Sequence, residues 1–158
     1  MATAAEAAHE KFQARIGETE GSGDWFEISQ ERINDFADVT VDHQFIHVDP
    51  EAAKASPFGT TIAHGFLTLS LLTHLGSSVP NDPETFKGVV MGVNYGFDKV
   101  RFVSPVPSGS KVRATSVLKD ADLKDPNTIQ VTRTYTVEIE GADRPAVVAD
   151  WITRLVYG

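Results

Sequence analysis

An α+β fold, with helices gathered in the first half of the chain and an antiparallel sheet in the second, follows from three observations. Residues 62–75, IAHGFLTLSLLTHL, are apolar on nearly every side of a helix, which predicts a buried one. Residues 88–157 hold four segments of alternating polarity separated by turn residues, the mark of strands with one covered face. Strands and helices do not alternate along the chain, so no parallel sheet is expected. At 158 residues the chain predicts one domain, 1–158, large enough to bury a core without staples.

The elements are expected in this order. Residues 1–22 read as an Ala-rich helical lead-in, a peripheral extension closed by Gly21-Ser22-Gly23. Asp24–Ile28 suits a short strand. Ser29 then caps a helix, with Ile28 before it and Ile33 inside forming a hydrophobic staple, and Ile33, Phe36 and Ala37 making its apolar face to about Val39. Residues 40–49, TVDHQFIHVD, show no helical period. Pro50 opens a short helix, PEAAKA, capped by Asp49, and Ser56-Pro57-Phe58-Gly59 breaks it. The 62–75 helix stops at Gly76-Ser77-Ser78.

Strands follow at 88–103, 110–119, 128–139 and 145–157. In the first, Val89, Met91, Val93, Tyr95 and Phe97 share one face by period two. Ile129, Val131, Tyr135, Val137 and Ile139 do so in the third, and Val147, Trp151, Leu155 and Tyr157 in the fourth. A single sheet with one apolar face must cover it, and the 62–75 helix is the natural filler. A sheet wrapped around one long helix is the arrangement called a hot dog.

Charge and composition narrow the function. A net charge of −8 argues against a nucleic-acid binder, which needs clustered Lys and Arg. The absence of cysteine removes disulfides and thiolate chemistry. The N-terminal segment is charged at Glu6, Glu10 and Lys11 and reads as no secretory signal, and no apolar run is long enough to span a membrane, so a cytoplasmic protein is expected.

Two clusters offer chemistry. Asp42 and His47, with His43 between them, lie in an irregular segment. Such a carboxylate and imidazole suit an acid/base pair, and equally a surface loop in which Asp42 caps a turn and His47 is solvated. A metal on His43, His47 and Asp49 is a further reading. It is disfavoured because the four-residue His spacing needs a helix and Gln44 stands where a HExxH motif has Glu, so no metal is expected. His64-Gly65 opens the long helix, where unpaired amides and the helix dipole suit an oxyanion, although Gly65 also suits tight packing on the sheet. Ser70, on the same helix, suits a bond to a catalytic group or to a carbonyl one turn back.

The run DHQFIHVDPEAAKASPFGTTIAHGFLTLSLL resembles the signature of the MaoC-like dehydratases, the (R)-specific enoyl-coenzyme A hydratases, including their nodulation protein N-like members. The likeness extends over about residues 24–157. It implies a hot-dog homodimer acting on an acyl-coenzyme A, with no cofactor. It further implies that Asp42 and His47 hold and activate water, that the Gly65 amide receives the thioester oxygen and that Ser70 supports the pair. His64 and Gln44 would then contact substrate, and Lys99 and Arg101, with Lys111 or Arg113 of either subunit, would meet the coenzyme phosphates. Many members carry Asn-Pro where this chain has Gln44-Phe45. The competing expectations are a hot-dog acyl-coenzyme A thioesterase and a non-catalytic acyl-binding partner subunit.

Overall fold

Strands β1 (Thr19–Ser22), β2 (Phe26–Glu27), β3 (Val89–Phe102), β4 (Lys111–Asp125), β5 (Thr128–Ile139) and β6 (Val147–Tyr157) form one antiparallel sheet. The architecture comes from a computed structural model that describes residues 2–158. Strand order is β1-β4-β5-β6-β3, with β2 also pairing β4. β5 buries every second residue, as its alternation predicts, and Arg133 joins its five apolar side chains on the covered face. β4 runs six residues beyond the expected 119. Its extension, Asp120–Asp125, is largely polar and exposed, so hydropathy alone does not mark it, yet it pairs with β5 to the Asp125–Thr128 turn.

The long helix begins at Gly65 and is interrupted at Leu71 into α5 (Gly65–Ser70) and α6 (Leu72–Ser77). Leu71 N–H still donates to Leu67 and Leu75 N–H to Leu71, so the two halves continue one another. Ile62 and Ala63 are extended rather than helical, and Ile62 bridges to Pro107. The expectation of burial all round fails on one side. Leu67, Leu72 and Leu75 sit in the core against the sheet, while Phe66 is 66% exposed and shares an exposed stripe with Ser70, Thr73 and Ser77. One chain supplies a sheet to only one flank of this helix.

The N-terminal lead-in is not peripheral. α1 (Ala4–Ala14) opens with a capping box between Thr3 and Glu6 and buries Ala5, Ala8 and Phe12. These pack with Leu118, Ile129, Val131 and Leu155 into a second core cluster beside the one under the central helix. Burying Phe12 alone is worth about 2 kcal/mol. Residues 19–22 of the same segment form β1, paired to β4.

Edge strand β3 also departs from simple alternation. Its pairing with β6 shifts register three times, between Val89 and Met91, Asn94 and Gly96, and Asp98 and Arg101. Each bulge turns the following side chains over. Tyr95 therefore lies under the Arg154 guanidinium, 3.9 Å from its centroid, whereas Phe97 stacks on Trp151. Those two β6 residues are three apart and face opposite sides of the sheet.

The first-half helices agree better with expectation. Ser29 caps α2 (Gln30–Thr40) through the Arg32 amide, and Asp49 caps α4 (Pro50–Ala53) through the amides of Glu51 and Ala52. Between them, Phe45–Val48 forms one helical turn, α3, where none is expected. Four residues are too few for a hydrophobic period to show. Among the described residues no helix is long and apolar enough to cross a membrane.

Candidate active site

α2 ends on Val41, a β-branched residue in the left-handed region at φ 60°. That conformation costs a β-branched residue free energy, and here it turns the chain so that Asp42 N–H closes on Ala37 and the carboxylate leaves the helix. α3 then presents His47 inward. Its Nδ1–H donates to the Ile62 carbonyl at 2.7 Å, which leaves Nε2 as the nitrogen available for proton exchange. The Gln30 side chain braces the turn by donating to the His47 carbonyl at 2.7 Å, and it accepts from the Thr61 hydroxyl.

His64 caps α5 without a side-chain bond to the helix. Its ring stacks on His47 with centroids 3.9 Å apart and planes 24° from parallel, and Phe36 closes its surroundings at 5.0 Å. His64 Nε2–H donates to the Asp42 backbone carbonyl at 3.0 Å, while Nδ1 is buried with no partner. One donor atom from each of Asp42, His47 and His64 falls within 4.8 Å of the others. Burial holds the His47 pKa below its ordinary value, and the neighbouring His64 adds to this. The Ile62 carbonyl and Asp42 pull the other way without reversing it. His47 is therefore neutral near pH 7 and able to accept a proton.

Gly65 stands at the head of α5, where the first-turn amides have no carbonyl to meet. A Cβ there would lie 2.8 Å from the Phe102 ring, so glycine is required for β3 to approach. Gly65 and His47 line one cavity of about 260 Å³ with Thr68 and Phe102. An amide donor and a neutral imidazole thus face the same space.

The other expected residues fall out differently. His43 pairs with Asp38 at 2.7 Å and Asp49 caps α4, so the His43–His47–Asp49 grouping does not form. In the group that does form, the two imidazoles lie nearly parallel rather than converging on a point, which suits proton traffic better than chelation. Ser70 is exposed and donates to Phe66 one turn back; among the described residues no bond ties it to Asp42 or His47. It lies on the outward stripe of the helix. Gln44 offers its backbone carbonyl to His47 N–H and makes no side-chain cap bond. Lys99 and Arg101 are exposed on β3, Lys99 in the left-handed region at a bulge and Arg101 reaching the Val100 carbonyl. Lys111 starts β4, and Arg113 is engaged by Glu138 at 2.6 Å and lies over Trp25. Gln30, Phe36 and the Ile62 carbonyl escape sequence reasoning, because each joins the site across a gap that no local spacing encodes.

The family model described as the MaoC like domain matches residues 11–140. The chain belongs to the MaoC-like dehydratase family. It is a hydro-lyase. The chain is 54% identical over 143 residues to the 3-hydroxyacyl-thioester dehydratase Z of Mycobacterium tuberculosis (strain H37Rv), covering 90% of this chain and 92% of that protein. It is 51% identical over 146 residues to Nodulation protein N of Rhizobium leguminosarum bv. viciae, covering 91% and 88%. Among solved structures, the (R)-hydratase from A. caviae involved in PHA biosynthesis superimposes with a TM-score of 0.69 at 22% identity, over 87% of this chain and 94% of that one. That likeness establishes the hot-dog fold for this MaoC-like chain.

Proposed function

We propose that the chain is an (R)-specific enoyl-coenzyme A hydratase, adding water reversibly and syn across a trans-2-enoyl-coenzyme A to give the (R)-3-hydroxyacyl-coenzyme A. The observation that carries this reading is the neutral His47, with Nε2 unengaged, beside Asp42 and across one cavity from the Gly65 amide. Hydration needs a nucleophilic water at C3, a proton at C2 and a donor for the oxygen that gains charge. Asp42 and His47 sharing one water supply both proton movements from one face. The Gly65 amide meets the enolate-like oxygen, and loss of such a donor typically costs about two to three decades in rate. No step calls for a metal or an organic cofactor. Gln44, Lys99 and Arg101, all exposed, remain available to the coenzyme arm.

A homodimer belongs to the same reading. β3 is a long sheet edge, and Met91, Val93, Tyr95 and Phe97 on it are exposed together with Phe66 of the helix. An apolar unpaired edge of this length seeks a partner, and a second copy would cover both features. We place this dimer in the cytoplasm, where soluble coenzyme A thioesters are found.

The test is hydration of crotonyl-coenzyme A by the purified protein, followed at the enoyl absorbance, with product chirality read by an (S)-specific 3-hydroxyacyl dehydrogenase. Hydration with no oxidation of the product by that enzyme is expected. Release of free thiol in place of hydration would sink the assignment. Light scattering at a monomer mass would sink the dimer.

A further inference from the structure

Beyond the His47 end, two adjoining cavities follow the central helix. The nearer, of about 280 Å³, is walled by Leu69, Ser70 and Thr73 and by Asn94, Phe97 and Trp151 of β3 and β6. The further, also of about 280 Å³, shares Thr73, Asn94 and Trp151 with it and is also lined by Gly76, Glu20, Arg133 and Tyr135. Together they make one trough beginning about one turn past Gly65. At about 1.5 Å per residue, Thr73 lies about 12 Å along the helix from Gly65, within reach of an acyl chain held there by its carbonyl.

Apolar surface predominates in both halves, and the further one sets the Arg133 guanidinium, the Glu20 carboxylate and the Tyr135 side chain among it. Arg133 is only 8% exposed, and its Nε donates to Glu20 Oε2 at 2.8 Å. The same carboxylate oxygen accepts from the Ser116 hydroxyl at 2.6 Å. Among the described residues, the other two guanidinium nitrogens enter no hydrogen bond. Tyr135 is equally buried and brings its hydroxyl to Gly76, where a Cβ would stand 3.1 Å from that oxygen. Any side chain at 76 would fill the gap.

A bare alkyl chain pushed into this end would strip water from several donors and return no acceptor. Each donor stripped of water and left unmatched costs about 1–3 kcal/mol, which an oxygen on the chain would offset. Charge decides which kind. Glu20 already neutralises Arg133, and a carboxylate tail would bury a second, uncompensated negative charge. A hydroxyl or ketone adds no charge and accepts a hydrogen bond.

We infer that the trough selects acyl thioesters whose chain carries a neutral oxygen, a ketone or hydroxyl, near its far end, read by Arg133, Tyr135 and Asn94. The inference rests on the hydratase reading and names its substrate class. Its test is kcat/KM of the full-length protein on four trans-2-enoyl-coenzyme A substrates: crotonyl, a medium-chain alkyl, and chains of that length bearing a terminal-region ketone or ending in a carboxylate. The ketone is expected to exceed the alkyl chain by about tenfold, the gain of one recovered hydrogen bond, with the carboxylate poorest. In Tyr135→Phe, which keeps the ring and removes the hydroxyl, the ketone-to-alkyl ratio should fall several-fold; Asn94→Leu is the second variant should the first fold poorly. Equal values for ketone and alkyl in the wild type, or a preference unmoved in both variants, would overturn the inference while leaving crotonyl hydration in place. Failure to hydrate crotonyl-coenzyme A at all would instead remove the hydratase reading beneath it.

Discussion

The two ends of the central helix handle buried polarity in opposite ways. At the N-terminal end, His47 and His64 are nearly enclosed, and their side-chain bonds run to the backbone carbonyls of Ile62 and Asp42. Neutral partners leave the His47 proton free to come and go. At the C-terminal end, Arg133 and Glu20 are buried as an opposite-charge pair at 2.8 Å, with Ser116 on the same carboxylate. Their charges are locked by each other. The contrast separates a place that moves protons from a place that holds a fixed dipole, although both lie on the same covered face of the sheet.

Breaking the proton-handling end should have the largest effect. His47→Ala is expected to lower kcat for crotonyl-coenzyme A by about two to four decades, the range of general acid–base catalysis, in variant protein still folded at the assay temperature by circular dichroism. Wild-type kcat in the folded variant would instead mark His47 as structural.

Breaking the locked end should reverse that pattern. Arg133→Met leaves Glu20 buried without its cation and is expected to cost about 3–5 kcal/mol in urea unfolding. The double change Arg133→Met with Glu20→Gln removes both charges and should recover most of the loss. If the single and double variants are equally unstable, the pair is not the locked dipole described.

Acidity sharpens the comparison further. The folded His47 pKa lies below its ordinary value of 6.5, so the unfolded chain takes this proton first. Stability from the neutral ring is present above about pH 6.5 and is lost as pH falls through the folded pKa. kcat/KM should likewise hold level down to pH 6.5 and decline only at more acid pH, as a rate profile would record. A decline already complete at pH 7 would contradict the buried, neutral imidazole.

The smallest effect is expected away from both ends. Ser29→Ala removes the cap on the Arg32 amide and should cost about 1 kcal/mol of stability without changing kcat, as parallel unfolding and rate measurements would show.

Much of this was legible in the residues. The caps at Ser29 and Asp49 are local devices with local signals, and so is the alternation of β5. Asp42, His47 and Gly65 stood out through motif spacing. What escaped depended on contacts between distant segments. The stacking of His64 on His47 joins positions 17 apart, and Gln30 reaches the His47 carbonyl from another helix. Of the three register shifts in β3, the one between Asn94 and Gly96 had a local sign in Gly92-x-x-x-Gly96, while the others hid behind the strand's strong hydropathy pattern. Ser70 had two expected partners, and it takes the carbonyl one turn back because the sheet covers only one flank of the helix. α1 looked like a tail because alanine carries little hydrophobic weight; its small side chains are what let it lie close to the sheet.

That placement of α1 sets the limits of the foldable unit. Thr3 donates to the Pro126 carbonyl at the β4–β5 turn, and Phe12 rests in the second core with the Arg133 guanidinium over its ring. β6 lies between β5 and β3, so the sheet cannot close without it. A fragment trimmed to residues 11–140, the span that carries the family likeness, would lose the first two turns of α1 and the whole of β6. The stretch by which such a protein is recognised is shorter than the stretch from which its two cores are built.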